Sequence, residues 1–80
     1  MNVFVAVVGT YEEGGMTVGV YESEFGAEMG LTKYALENED NVNEYYEIYE
    51  YQLGAALDVA ASAQEPVAKG EFSELLIEVA

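Results

Sequence analysis

Asn43–Leu53 runs Asn-Glu-Tyr-Tyr-Glu-Ile-Tyr-Glu-Tyr-Gln-Leu, and the conformation of this stretch decides the fold. Its Tyr and Ile content favours a β-strand, because aromatic and β-branched side chains suit a pleated surface. A helical alternative stays open, since Val42, Tyr45, Tyr46, Tyr49 and Leu53 also follow a 3.6-residue period. Strict alternation breaks once: Tyr46 and Ile48 are out of phase with Tyr51 and Leu53. A one-residue bulge near Tyr49 restores the phase and turns Glu47, Glu50 and Gln52 outward. We take the stretch as a strand.

Working towards the N-terminus, Ser23 is suited to cap a helix, and Glu24 in its first turn complements the helix dipole. The helix covers Glu24–Glu37, with Ala27, Leu31, Tyr34 and Ala35 at helical spacing. Gly26 and Gly30 each cost about 1 kcal/mol relative to Ala in a helix interior, so their use implies close approach to a sheet. Asn38–Asn43 is a polar loop. Asn2–Val8 is an apolar, β-branched run that reads as a central strand, and Gly9–Gly15 is a turn with Glu12 and Glu13 at its tip. Met16–Glu22 returns as a second strand, with Met16, Val18 and Val20 on one face and Thr17, Gly19 and Tyr21 on the other.

Towards the C-terminus, Gly54–Gln64 is Ala-rich and reads as a short helix that Pro66 ends. Val67–Gly70 is expected to be a connector. Glu71–Ala80 fits a helix through Phe72, Leu75, Leu76 and Val79, and by composition fits a strand as well. The expected architecture is a single α+β domain over residues 1–80. It is a two-layer sandwich of hairpin, helix and strand (ββαβ), with a C-terminal helix and one further helix or strand.

Half of the 80 residues are apolar (51%), enough for a core and too many for a disordered acidic tail. A chain of this length buries about 60% of its unfolded surface, so its stability margin is small. The stretch Val3–Val8 is too short for a signal-peptide core or a membrane span, and we expect a soluble, cytoplasmic protein. Absence of Cys rules out disulfides and thiolate metal sites.

Charge is the outlying property. Sixteen acids oppose two lysines, Lys33 and Lys69, with no Arg or His, for a net charge of −14. Residues 1–40 and 41–80 each hold eight acids and one Lys, so the charge belongs to the whole body and not to a tail. Nucleic acid and anionic membranes are disfavoured as direct partners, since both are held by Lys and Arg. A field of one sign over a small body steers encounter with a basic surface.

Catalysis finds little support. Without His or Cys there is no triad and no zinc site, and no phosphate-binding glycine loop is present. The segment Glu37–Asn41 supplies oxygens but lacks the central Gly of a calcium loop, so neither metal nor cofactor is expected. The function class left is binding. Glu44, Glu47 and Glu50 recur every third residue among Tyr45, Tyr49 and Tyr51, and on a strand that interval is roughly 10 Å, near the span of three phosphates.

In size, composition, charge and this Glu44–Tyr51 segment, the chain resembles the small acidic DNA mimics encoded by phages and other mobile elements. The resemblance implies an inhibitor that occupies the nucleic-acid-binding surface of a host restriction, CRISPR, nucleoid or transcription protein, in the host cytoplasm. On that reading Glu37, Glu39, Asp40, Glu44, Glu47 and Glu50 stand in for phosphates, and Tyr45 and Tyr49 supply packing. The alternatives are an interaction module for a basic protein unrelated to nucleic acid, with a homodimer through a sheet edge as one form, or a domain adapted to high salt. Fourteen Glu against two Asp, and no Arg, run against the composition of salt-adapted proteins.

Overall fold

The computed structural model describes residues 2–38, 42–52 and 65–77. Among them the chain forms a four-stranded antiparallel sheet, one long helix and one short helix. The expected helix over 54–64, and the end of the chain at 78–80, lie outside the described residues.

Asn2–Thr10 forms β1 and Gly14–Tyr21 forms β2, joined by the tip Tyr11–Glu13. The tip is closed locally: the Glu13 amide donates to Thr10 Oγ1 at 3.0 Å. Gly14 then takes φ +87°, a conformation a β-carbon would oppose. The register of this hairpin slips between Ala6 and Val7, where a bulge leaves Val18 as the extra residue of β2. The slip overturns the simple alternation expected for β2. Val18 and Tyr21 pack towards the core, whereas Val20, paired with Val5, lies on the other face and is 60% exposed.

Glu24–Glu37 forms α1. Ser23 caps it, its Oγ accepting from the Gly26 amide at 2.9 Å, and Asn38 closes it by donating from Nδ2 to the Tyr34 carbonyl at 2.8 Å. Ala27, Leu31 and Ala35, four residues apart, form the buried stripe. Of the two helix glycines, Gly30 has the role their spacing suggested, whereas a β-carbon at Gly26 would meet nothing closer than Ser23 Oγ at 3.2 Å. A β-carbon on Gly30 would lie 2.0 Å from the Tyr21 hydroxyl and one on Gly19 2.6 Å from it, so the ring fills a slot between helix and sheet.

Tyr45–Gln52 forms β3, which settles the helix alternative in favour of the strand. Its pairing with β1 runs without interruption from Asn2–Gln52 to Gly9–Tyr45. The bulge expected near Tyr49 is therefore absent, and the one bulge of the β1 pairings is in β2. Consequently Tyr46, Ile48 and Glu50 face the helices, whereas Tyr45, Glu47, Tyr49 and Tyr51 face away.

A second correction concerns 67–70. Ala68–Glu71 is a strand, β4, paired with β3 at Tyr45–Glu71 through Ile48–Ala68. No β-branched residue recommends it as a strand. It is held by its neighbour, because the Tyr46 ring lies over Gly70, the residue opposite, where a β-carbon would come within 2.8 Å of the ring. Glu74–Ile77 forms the short helix α2, whose approach is fixed by the Glu71 amide donating to Glu74 Oε1 at 3.2 Å.

The sheet order is β2-β1-β3-β4, and the core lies on one side of it. Ala6, Val8 and Ile48 from the sheet meet Ala27, Leu31 and Ala35 of α1, with Phe72 and Leu75 closing the far end. The Tyr34 and Phe72 rings meet edge to face at 6.3 Å. Each fully buried Leu or Ile side chain here contributes about 1.5–3 kcal/mol.

Candidate protein-binding face

With the helices on one side, the described residues leave the other side of the sheet open. Strand alternation and the registers place Val3, Val5 and Val7 of β1, Thr17 and Val20 of β2, Tyr45, Glu47, Tyr49 and Tyr51 of β3, and Lys69 and Glu71 of β4 on that face. Its centre is aliphatic and aromatic. An antiparallel sheet exposed to water on one side usually carries polar residues there, so this composition is unexpected.

Two aromatic pairs organise the face. Tyr11, from the hairpin tip, lies against Tyr45 with ring centroids 5.3 Å apart and planes inclined by 32°. Tyr49 and Tyr51, one above the other along β3, stand 6.4 Å apart. Both spacings fall in the range of favourable ring contacts. Tyr11 is held in place by Glu44, whose Oε1 accepts from the Tyr11 amide at 3.1 Å while its own amide donates to the Gly9 carbonyl at 2.8 Å.

Below the Tyr11–Tyr45 pair runs a groove of about 640 Å³ whose walls include Glu47, Lys69, Glu71 and Glu74. Glu47 and Lys69 are cross-strand partners. Glu47 also accepts a hydrogen bond from the Tyr49 hydroxyl. Burial, this bond and the Glu47 charge together push the Tyr49 phenol above its ordinary value of 10.0, so Tyr49 is a neutral donor at physiological pH.

The residues expected to form a phosphate-like row divide between surfaces. Tyr45, Glu47 and Tyr49 share the open face. Glu50 lies on the helix side, where Asn2 Nδ2 donates to its Oε2 at 2.6 Å, beside a shallow cleft that Glu65 also lines. Glu44 is committed to the hairpin tip, and Glu37 is the exposed last residue of α1. Glu39 and Asp40 lie outside the described residues. Spacing by three along β3 thus places Glu47 and Glu50 on opposite faces of the sheet.

Sequence reasoning missed Tyr11, Tyr51 and the valines of the face. The signal was present: without the postulated bulge, plain alternation along β3 puts Tyr45, Tyr49 and Tyr51 together. Among the described residues no charged side chain is buried, and no three acids converge as metal ligands. No helix among them is long and apolar enough to cross a membrane. No family model matches the chain, and no curated protein or solved structure matches it either.

Proposed function

We propose that this chain is a non-catalytic binding domain that docks the open face of its sheet on a basic protein surface. The observation that carries this reading is the composition of the face, an aromatic and aliphatic centre with carboxylates beside it, on a body of net charge −14. Protein interfaces have that anatomy, an apolar, Tyr-rich core within a polar rim. The groove suits an arginine side chain: the guanidinium lies over the Tyr11–Tyr45 pair and its N–H groups meet Glu47 and Glu71. The remaining acids act at longer range, raising the rate of encounter with a basic partner.

A nucleic-acid-binding protein is the partner class we favour, because its binding surface concentrates Lys and Arg to match a field of this sign and extent. The chain would then act as an inhibitor that keeps nucleic acid out. Division of Glu47 and Glu50 between faces favours a second version, in which a basic partner with no nucleic-acid role meets the aromatic groove.

Capture from host lysate, repeated with Tyr45→Ala and Glu47→Lys, tests the proposal. We expect a basic protein to be retained at low salt, to be released by added DNA, and to be lost from both variants while their circular dichroism is unchanged. Retention by both folded variants would remove the open face as the site. Retention that DNA does not disturb would leave binding in place and exclude the inhibitor version.

A further inference from the structure

The two outer strands of the sheet are built differently. β4 has the features by which natural edges resist pairing with other chains: it is four residues long, it carries Lys69 and Glu71, and Pro66 stands just before it. β2 is eight residues long and contains no charged residue and no Pro, in a chain with 18 charged side chains. Met16 and Val20 on it are 53% and 60% exposed, and its only neighbour among the described strands is β1. The bulge at Val18 disturbs only its middle.

Charge resumes at once beyond both ends of β2. Glu12 and Glu13 precede it, and Glu22 and Glu24 follow, all four exposed. The uncharged edge between them spans roughly 24 Å at about 3.4 Å per residue.

We infer that the edge of β2, which no other described strand covers, is a docking site for an extended segment of a partner protein, uncharged in its centre and carrying Lys or Arg at both ends. Backbone hydrogen bonds to the open edge supply the pairing, as in other cases of strand addition, and the acid pairs at the two ends set length and register. A second copy of this chain does not fit. Antiparallel pairing of two β2 strands brings Glu12 and Glu13 of one copy beside Glu22 and Glu24 of the other, and parallel pairing brings each pair against itself. Like charges meet at both ends in either arrangement. The site adjoins the open face at Thr17 and Val20 but does not depend on the aromatic groove, because its contacts are backbone groups at the rim of the sheet.

The probe is the peptide Lys-Lys-Thr-Val-Thr-Val-Thr-Val-Lys-Lys, titrated into the full isotope-labelled chain and followed by amide shifts and hydrogen exchange. Two controls accompany it: one with every Lys replaced by Glu, and one with all central residues N-methylated, which keeps the charge and removes the donors. We expect slowed exchange within residues 14–21 and amide shifts confined to residues 12–24, with at least about tenfold weaker binding for each control. Equal binding of the N-methylated peptide would reduce the contact to non-specific attraction and overturn the inference. So would changes confined to β4 or to Tyr45, Glu47 and Tyr49, or absence of binding at millimolar peptide. Changes at Tyr45–Tyr49 alone would leave the proposed function standing while removing this edge.

Discussion

Tyr21 occupies a position that Gly19 and Gly30 make possible, and substitution at Gly30 and at Gly26 separates steric from helical effects. At Gly26 a β-carbon would meet its nearest neighbours at 3.2 and 3.5 Å, a contact that small adjustments accommodate. At Gly30 the same atom would strike the Tyr21 hydroxyl, and the ring cannot retreat because its other side is closed by Gly19. Gly30→Ala should therefore lose about 1–3 kcal/mol in urea unfolding despite the better helix propensity of Ala. Gly26→Ala should be neutral or gain up to about 1 kcal/mol. Equal effects of the two substitutions would contradict the slot. Tyr49 makes stability depend on pH in the alkaline range. Its phenol is raised in the folded state, so the unfolded chain releases that proton first as pH rises. Stability conferred by the neutral phenol is intact below pH 10 and is lost as pH climbs through the folded value. Tyr49→Phe should accordingly show a smaller fall in urea midpoint between pH 8 and pH 11 than the parent chain.

Elements differ in how far their own residues specify them. α1 carries its own start signal, and Ser23→Ala should cost about 1 kcal/mol in the same unfolding measurement through loss of the bond to the Gly26 amide. An unchanged midpoint would mean the cap is replaced by solvent. That helix, the first hairpin and the strand character of β3 were all legible, because periodicity, capping and β-branched content agree there. Phase was not legible. A bulge was placed in β3 to reconcile the alternation of Tyr46 and Ile48 with that of Tyr51 and Leu53. None was needed: β3 pairs with β1 without a break, and Tyr51 turns outward beside Tyr49. β4 was illegible for another reason: Ala-Lys-Gly-Glu has no intrinsic strand preference, and only the ring of Tyr46 and the ladder of β3 make a strand of it. The candidate site inherited the error in phase, so Tyr45, Glu47 and Tyr49 were identified together but Glu50 was wrongly aligned with them.

For the whole molecule, charge and exposed apolar surface have to be considered jointly. Val20, Tyr11 and the outward residues Phe25, Met29 and Leu36 of α1 are substantially exposed, and β2 adds an edge that no other described strand covers. A body of this size with such a surface would ordinarily self-associate. Net charge of −14 opposes that at neutral pH, beyond the magnitude of about 2–8 that suits a small domain. Near the isoelectric point of about 4.1 the repulsion disappears. Light scattering should then show a monodisperse species at pH 7 in low salt and growing particles as pH approaches 4, with molar salt at pH 7 having a milder effect of the same sign. A particle size independent of both pH and salt would mean the acids are not what holds copies apart.

β1 contributes Val5 and Val7 to one surface and Ala6 and Val8 to the other, so a single thickness of peptide separates the open face from the interior. Firmness of the outer surface is then borrowed from behind, where Leu31 and Ile48 prop the same strand. Substitutions that loosen the interior, although none lies on the open face, should weaken the docking proposed there by letting that partition flex.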